Sequence, residues 1–442
     1  MLSPARSAAF DILLRVEGQS AYASELLHAE RYQKLSDPDH ALSTELVMGV
    51  LRWRSALDEA IQHAASQPLR KMDLEVLIAL RLGAYQLGWL ERVPARAAIF
   101  ESVELVKRAR KRSAAGFVNA CLRKLAAQPA ALRPQAPSHA GASGLARAYA
   151  HPEWLVARWI DQFGPDAAAH ICAYDQQVPA TVIRLRFAAA EEELIAAGIE
   201  LAPGAFLSHA RRVKKGDVTR AAALREGRVV IQDEASQLVA ALVGQGRRLL
   251  DCCAAPGGKT AILADRNPDA EIIAAELHPR SARLLRRLVG ARNVRVIAAN
   301  AVALPVAGEF DRALADVPCS GTGTLARNPE IKWRLQPDDL PELHARQLAI
   351  AHSALQHLAP GGRLVYSTCS LEREENREVV EELLETVPNI RLLDCRDELR
   401  AMQQRGELLW QDLDSITSGQ FLRTLPGVHP CDGFFAAILE KT

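Results

Sequence analysis

Residues 249–260, LLDCCAAPGGKT, join a strand-like start to a glycine pair and a Lys-Thr step. A phosphate-binding loop ends in the same way, but it also needs a glycine five residues before Gly258, and Cys253 stands there. The template of a nucleotide hydrolase therefore fails at one of its fixed positions. The context still predicts strand, turn and helix, with the turn at the strand's carboxyl end, where open α/β sheets bind ligands.

Two cysteines occupy loops that should lie at the same edge of a sheet. Cys319 follows Pro318 directly after a predicted strand, and Cys369, in YSTCS, directly follows the next one. A thiolate is a natural nucleophile for an electron-poor ring such as a pyrimidine, whose carbon 5 becomes nucleophilic only after addition at carbon 6. These cysteines are candidates for covalent catalysis, whereas Cys172 and Cys395 are expected to be inert core residues.

Polar side chains also end the predicted strands. Glu276 ends the second strand, 25 residues after Asp251, where a carboxylate usually accepts hydrogen bonds from ribose hydroxyls. Asn300 and Asp316 end the third and fourth strands. The turn departs from the NAD fingerprint, so a ligand with a ribose and a base but no pyrophosphate, S-adenosylmethionine, fits better. The alternative for Glu276 is a solvated charge at a strand end.

The elements that must position these residues change character along the chain. Helical periodicity over residues 1–130 predicts a helical bundle, and the Ala, Pro, Ser and Gly of 126–144 predict a linker. A small α+β unit follows, and from about residue 245 strands alternate with helices, which is typical of a parallel, doubly wound sheet. Strands are expected at 180–186, 227–233, 248–252, 271–275, 294–298, 311–316, 363–367 and 433–441.

Composition and charge narrow the function classes. A chain of 442 residues with 49% hydrophobic and 24% charged residues is ordinary for a soluble protein of two or three domains. We find no membrane-spanning run and no secretory signal, and expect a cytoplasmic protein. The eight cysteines form no C-x-x-C pair, so no metal is expected. Basic residues outnumber acidic ones in 1–150, most densely at 107–112, and this excess indicates either a polyanion partner or a solvated helix end.

Three motifs in order make the resemblance specific: DCCAAPGGKT, ADVPCSGTGT and YSTCSLEREEN resemble those of the RNA 5-methylcytosine methyltransferases. The helical N-terminal region, GFVNACLRKL included, is similar to the antitermination factor NusB. NPEIKW at 328–333 and DGFF at 432–435 also match. Over essentially all 442 residues the chain resembles the bacterial small-subunit ribosomal RNA methyltransferase B family, also called Sun or Fmu.

This resemblance implies three domains. They are an all-α NusB-like RNA-binding domain at 1–140, linker helices with a small α+β subdomain at 141–240, and a Rossmann-like class I methyltransferase domain at 241–442 with a mostly parallel seven-stranded sheet. It also implies a monomer that methylates carbon 5 of a cytosine in 16S ribosomal RNA, at the family's position 967. S-adenosyl-L-methionine would be the methyl donor, and the reaction would pass through a covalent cysteine–cytosine intermediate.

The resemblance also implies roles for individual residues. Cys369 matches the nucleophile, Cys319 the cysteine that helps to release the product, and Asp316 the acid beside the cofactor and the target base. Glu276 matches a ribose carboxylate that is more often Asp. Asn300 replaces the usual Asp near the adenine, which should alter cofactor affinity without abolishing binding. The cofactor loop comprises Cys253, Ala254, Ala255, Pro256, Gly257, Gly258 and Lys259, and Asp316 also belongs to the cofactor site.

Other interpretations stay open at the level of sequence. In a DNA cytosine methyltransferase the nucleophile would be Cys319, and the Cys369 loop would be superfluous. The substrate could be another RNA such as tRNA, or the chain could be a non-catalytic RNA-binding assembly factor with a relic pocket, although both cysteines and the glycine turn are retained. The basic side chains of 205–228 are either contacts to an RNA backbone or an exposed loop.

Overall fold

The computed structural model describes residues 2–19, 21–29, 31–32, 34–134 and 141–442. It contains two compact units: Met1–Val178 with Leu325–Arg334, and Pro179–Thr324 with Leu335–Thr442. The predicted intermediate subdomain, 141–240, is divided between them, because residues 141–178 belong to the first unit and residues 179–240 to the second. Of the predicted linker at 126–144, residues 135–140 lie outside the described residues.

The elements are numbered in chain order. The α-helices are α1 (Pro4–Gln19), α2 (Ala23–Leu27), α3 (Asp37–Arg52), α4 (Arg54–Ala64), α5 (Leu74–Trp89), α6 (Ala95–Arg108), α7 (Ala115–Ala126), α8 (Ala142–Ala148), α9 (Glu153–Phe163), α10 (Pro165–Asp175), α11 (Ala189–Ala196), α12 (Ala222–Arg225), α13 (Glu234–Leu242), α14 (Gly258–Arg266), α15 (Pro279–Val289), α16 (Ile331–Arg334), α17 (Leu340–Gln356), α18 (Arg377–Thr386) and α19 (Cys395–Gln404). The β-strands are β1 (Val182–Leu185), β2 (Glu200–Pro203), β3 (Ala210–Lys215), β4 (Val229–Ile231), β5 (Arg248–Asp251), β6 (Glu271–Glu276), β7 (Val294–Ala298), β8 (Phe310–Asp316), β9 (Leu358–Thr368), β10 (Ile390–Leu393), β11 (Thr417–Ser418), β12 (Phe421–Thr424) and β13 (Phe434–Lys441).

The first unit is a helical bundle, as the periodicity predicts. Its core is formed by apolar side chains from α1 to α7, including the stripe of α3 and α4 that recurs at helical spacing. Helices α3 and α5 approach closely because Gly49 has no side chain. An added Cβ there would lie 1.9 Å from Cζ of Tyr85, so only glycine permits this contact.

A segment far along the chain completes this helical unit. Trp333 donates from Nε1 to the Leu51 carbonyl (2.6 Å), and the Nζ of Lys332 donates to the Arg52 carbonyl (3.1 Å). Burial lowers the pKa of Lys332 to about 7. The NPEIKW motif, which the resemblance singled out, therefore belongs structurally to the helical unit.

The second unit begins with a small antiparallel sheet in the order β2-β3-β1-β4. Strands β1 and β4 were predicted, but β2 and β3 were not. Strand β3, ARRVKK, carries a basic run without apolar alternation, and its extended form is stabilised by antiparallel pairing with β1 and β2. The 205–228 segment is therefore not simply an exposed loop.

The large sheet has the order β7-β6-β5-β8-β9-β13, and both β10 and β12 pair with β13. The five neighbouring strands β7, β6, β5, β8 and β9 run parallel to one another, and β13 is antiparallel to β9. The expected mostly parallel arrangement is confirmed, but the sheet has nine strands where seven were expected, because the short β11 and β12 are added at the β13 edge. The carboxyl ends of β5, β6, β7, β8 and β9 consequently meet at one edge, where the predicted site residues lie.

In the described part of the chain, no helix is both long enough and apolar enough to cross a bilayer.

Candidate functional site

A cavity of about 350 Å³ lies at the carboxyl ends of β5 and β8. This volume is within the range of small-molecule sites. The whole predicted loop from Cys253 to Lys259 lines it, together with Asp251 and Asp316. The opposite wall comes from the small sheet and the start of α13, which the sequence had not connected to the site: Leu224, Gly227, Val229, Val230, Ile231, Gln232 and Ser236.

The glycine turn is shaped by close packing behind it. Gly257 has a φ of +119°, and an added Cβ would lie 2.8 Å from side-chain carbons of both Leu285 and Val289. A side chain at this position would be strained and would clash with α15. Helix α14 starts at the next residue, Gly258, so the backbone N–H groups of its first turn are available at the cavity wall. This turn can accept a carboxylate without a phosphate-binding loop.

Asp251, at the end of β5, supplies a carboxyl group to the cavity wall. Its Oδ2 accepts a hydrogen bond from Thr260 Oγ1 (2.7 Å), while its buried Oδ1 has no hydrogen-bond partner among the described residues. Burial raises the pKa of Asp251 to about 7, despite the hydrogen bond from Thr260. A buried carboxylate oxygen without a partner suits a ligand with a cationic group. Sequence reasoning had used Asp251 only to mark the strand end.

Lys259 and Asp316 form an ion pair across the cavity, with Nζ 2.7 Å from Oδ2. Burial alone would lower the pKa of Lys259, but the Asp316 carboxylate outweighs it and the pKa is raised. The second carboxylate oxygen of Asp316 accepts from Ser367 Oγ (2.8 Å). Asp316 is therefore held in one orientation by residues from α14 and β9.

The structure brings together the two predicted cysteines. The sulfurs of Cys319 and Cys369 lie 3.3 Å apart, which is a hydrogen-bond contact between free thiols and not a disulfide. The hydrogen bond with Cys369, followed by burial, raises the pKa of Cys319 well above its ordinary value. Cys319 consequently keeps its proton and can donate it to the sulfur of Cys369.

Glu375, which sequence reasoning passed over within LEREEN, joins the two cysteine loops. Its Oε1 accepts from the backbone N–H of Ser320 (2.8 Å) and from Gln347 Nε2 (2.8 Å). Its Oε2 accepts from the hydroxyls of Ser320 and Ser370. Ser320 follows Cys319 and Ser370 follows Cys369, so one buried carboxylate holds the neighbours of both thiols.

Two of the predicted cofactor residues lie at the same sheet edge but outside the cavity lining. Glu276 ends β6 and accepts from the N–H of His278 (3.0 Å). Asn300 follows β7, and its Oδ1 accepts from the N–H of Val302 (3.1 Å). Both side chains support turns, and their roles towards a cofactor stay predictions.

A second cavity, of about 230 Å³, lies at the C-terminal end of α14. Its arginines are already held by acidic partners, because Arg184 and Arg186 pair with Asp265 and Arg266 pairs with Glu407. Its lining has no cysteine. The described residues contain no group of three or more His, Cys, Asp or Glu side chains that could hold a metal ion. The first cavity is therefore the candidate functional site.

Comparison with known proteins agrees with this arrangement. The family described as 16S rRNA methyltransferase RsmB/F matches residues 240–440, and the NusB family matches residues 3–127. A probable ribosomal RNA small subunit methyltransferase B of Bacillus subtilis is 33% identical, with 99% of this chain and 98% of that protein covered. The ribosomal RNA small subunit methyltransferase B of Vibrio cholerae is 32% identical, with 99% and 97% covered.

The solved structures extend the similarity to the fold. The crystal structure of PH0851 superimposes with a TM-score of 0.81 at 22% identity, and the match covers 100% of both chains. At this identity the likeness establishes the fold alone. The two full-length relatives and the two family models point to the same family. The chain therefore belongs to the ribosomal RNA small subunit methyltransferase B family.

Proposed function

We propose that this chain transfers a methyl group from S-adenosyl-L-methionine to carbon 5 of a cytosine in small-subunit ribosomal RNA, with the family's position 967 as the target. The observation that carries the proposal is the pair of thiols, Cys319 and Cys369, whose sulfurs lie 3.3 Å apart. Lys259 interacts electrostatically with Cys369, and Asp316 with Cys319, so the Lys259–Asp316 ion pair lies beside the thiols. Carbon 5 of cytosine needs a nucleophile on carbon 6 before it can react, so this chemistry requires a thiol near the methyl donor.

The residues of the cavity suit such a methyl donor. The free Oδ1 of Asp251 can accept a hydrogen bond from an ammonium group, and the first turn of α14 can bind a carboxylate. Glu276 and Asn300 are the proposed contacts for the ribose and the adenine. When bound, S-adenosylmethionine supplies an electrophilic methyl group. The cavity would hold this group at the carboxyl ends of β5 and β8, beside Asp316.

Cys369 is the proposed nucleophile. The raised pKa of Cys319 keeps that thiol protonated, and its S–H can stabilise a thiolate on Cys369. The Cys369 sulfur adds to carbon 6, and the ring electrons become available at carbon 5. Asp316, oriented by Lys259 and Ser367, hydrogen-bonds the edge of the cytosine and stabilises the protonated ring nitrogen.

Cys319 is assigned to the second half of the reaction. After methylation carbon 5 gives its proton to the Cys319 sulfur as the Cys319 thiol passes its own proton to Cys369, and the electron pair of the bond between sulfur and carbon 6 returns to the Cys369 sulfur. Cys319 lies within hydrogen-bond distance of that sulfur and is placed to assist this elimination. The target cytosine has to leave its stack to reach the thiols, which is the usual requirement for enzymes that act on a base.

The test is transfer of a radiolabelled methyl group to small-subunit ribosomal RNA transcribed in vitro, with tRNA assayed in parallel, followed by bisulfite mapping. Cys369→Ala should abolish transfer. Cys319→Ala should accumulate a covalent protein–RNA adduct that survives denaturing electrophoresis, and the double variant should form none. Cys395→Ala is the matched control, because this cysteine is buried in the hydrophobic core, where its thiol contacts the Ala436 carbonyl, and its removal should leave transfer intact.

Two results would contradict the proposal. If Cys369→Ala traps RNA and Cys319→Ala does not, the nucleophile is Cys319 and the mechanism is of the DNA-methyltransferase type. If the label appears only in tRNA, or in no RNA at all, the assigned substrate or the enzymatic activity itself is wrong.

A further inference from the structure

The region between Glu276 and Glu309 is strongly basic and contains no acidic residue. It covers α15, the turn that follows and strand β7. All six arginines within it are exposed: Arg280, Arg283, Arg286, Arg287, Arg292 and Arg295. We call these six residues the α15 arginine face. Such a concentration of one charge on a single surface is the electrostatic pattern expected of a contact with a polyanion.

Most of these arginines have no partner among the residues that the structure describes. Arg295 pairs with Glu271 (3.1 Å), and Arg286 Nη2 donates to the Val296 carbonyl (3.3 Å). The other four make no ion pair and no hydrogen bond with side chain or backbone in the described part of the chain: Arg280, Arg283, Arg287 and Arg292. Unpaired exposed guanidinium groups can bind phosphate oxygens without first breaking an existing contact.

The basic segments that stood out in the sequence are different, because many of their charges are neutralised internally. In the small sheet, Arg211 pairs with Glu191 and Arg228 pairs with Glu193. Further pairs are Lys215–Glu200, Arg220–Asp217, Lys107–Glu104, Arg108–Asp11 and Lys111–Asp73. The segments 205–228 and 107–112 thus offer less free positive charge than their composition predicts.

Helical geometry places the arginines of α15 at the centre of its exposed side. Ala282, Leu285 and Val289 are its buried residues. At about 100° per residue, Arg280 and Arg287 lie opposite this buried face. The exposed Leu284 and Leu288 lie on one flank (37% and 53% exposed), and Leu288 also lines the cofactor cavity. A helix that lies on a membrane would instead present its leucines at the centre of the exposed side.

The arginine face is also close to the reaction. The buried side of α15 packs behind the glycine turn, since Leu285 and Val289 are the residues that a Cβ on Gly257 would meet. A strand of RNA on the outer side of α15 would therefore lie about one helix diameter, roughly 10 Å, from the turn. Basic side chains at this distance can hold backbone phosphates near a nucleotide whose base enters the site.

We propose that the α15 arginine face binds backbone phosphates of the substrate RNA beside the target nucleotide, an inference that rests on the proposed function for the identity of the polyanion. The contacts are electrostatic and independent of base sequence. They add local positioning of the target strand to whatever binding the NusB-like unit provides. Each arginine that neutralises a phosphate should contribute to the salt dependence of RNA binding.

The test uses the full-length chain with Arg280, Arg283 and Arg287 all changed to Gln. The matched control changes three exposed helical arginines of the same unit that already have acidic partners, namely Arg346, Arg377 and Arg400. Both variants lose the same charge. The affinity for small-subunit ribosomal RNA transcribed in vitro is measured by fluorescence anisotropy over a range of salt concentrations. S-adenosylmethionine binding, measured by calorimetry, checks that the cavity is intact.

The expected result follows from counterion release. Three phosphate contacts on single-stranded RNA change the slope of log affinity against log salt concentration by about 2. At 0.1 M salt this corresponds to an affinity difference on the order of 100-fold. The α15 variant should lose this amount and keep its cofactor affinity, while the control should lose less than about 3-fold.

The proposal is overturned if both variants lose RNA affinity equally or if neither loses it. Because RNA affinity is measured without turnover, a wild-type chain that binds RNA through this face but transfers no methyl group would refute the proposed function and leave this inference standing.

Discussion

Glu375 offers a way to separate the placement of the thiols from the binding of the cofactor. Its carboxylate lies between the two cysteine loops and outside the cavity lining. We predict that Glu375→Ala lowers the rate of methyl transfer while the affinity for S-adenosylmethionine stays nearly unchanged. Glu375→Gln should preserve most of the activity, because it keeps the shape of the side chain and one acceptor oxygen.

The magnitude follows from the hydrogen bonds that are lost. Two of the donors to Glu375 cannot easily turn away: the backbone N–H of Ser320 and the amide of Gln347, each 2.8 Å from Oε1. Each buried donor left without a partner costs about 1–3 kcal/mol, so Glu375→Ala should destabilise this unit by about 2–6 kcal/mol. In Glu375→Gln the carbonyl replaces Oε1, and the rotatable hydroxyls of Ser320 and Ser370 can accept from the new amide. Its cost should be below about 2 kcal/mol.

The assay compares kcat, cofactor affinity and the free energy of unfolding at a temperature where circular dichroism shows every variant folded. A displacement of the thiols by about 1 Å should reduce kcat on the order of 100-fold in Glu375→Ala. Glu381→Ala is the control, since this exposed carboxylate of the following helix pairs only with Arg377 among the described residues and should change stability by less than about 0.5 kcal/mol. The reasoning is refuted if Glu375→Ala keeps wild-type kcat, or if Gln at this position is as damaging as Ala.

Three further predictions follow from individual residues. The pKa of Asp251 is raised to about 7, so its carboxyl group is neutral below that pH and anionic above it. The affinity for the cationic methyl donor should therefore rise as the pH increases through 7. Calorimetry from pH 6 to 8 should show this rise in the wild type and no change of affinity with pH in Asp251→Asn. Gly257→Ala should weaken cofactor binding, because it combines strain at φ +119° with a clash against α15, whereas Gly258→Ala, whose Cβ would lie 3.3 Å from the nearest atom, should be milder in the same titration. Burial lowers the pKa of Lys332 to about 7, so above that pH the folded chain loses a proton that the unfolded chain retains up to about pH 10. The free energy of unfolding should therefore rise between about pH 7 and pH 10. Lys332→Met should remove this part of the pH dependence in denaturant titrations. An identical pH slope in Lys332→Met and wild type would contradict this assignment.

The sequence by itself determined the elements whose signals are local. Strand β7 was predicted with the limits it has in the structure, and β5, β6, β8 and β13 within one or two residues. These strands are short apolar runs between turn residues, and their period is independent of distant contacts. The glycine turn could also be predicted from the sequence, because the positive φ at Gly257 is a local requirement for glycine. The order of the motifs then indicated which loops share an edge.

Strand β3 shows what local signals cannot predict. Its residues, ARRVKK, alternate neither in polarity nor in size, and they resemble a solvated loop. They become a strand through pairing with β1 and β2 and through ion pairs such as Arg211–Glu191. The same ion pairs reduce the free charge that composition had predicted for this segment, whereas three of the four arginines of α15 have no partner among the described residues.

Tertiary structure also decided the chemistry of the site. The contact between Cys319 and Cys369 joins residues 50 apart in the chain, and it exists because β8 and β9 are neighbours in the sheet. The raised pKa of Asp251 comes from burial, and the role of Glu375 comes from loops that meet only in the folded chain. Residue types and their spacing predicted which groups are candidates for the reaction. The distances between these groups, their desolvation and their charge pairing arise only from packing, because each of them depends on atoms that are remote in sequence.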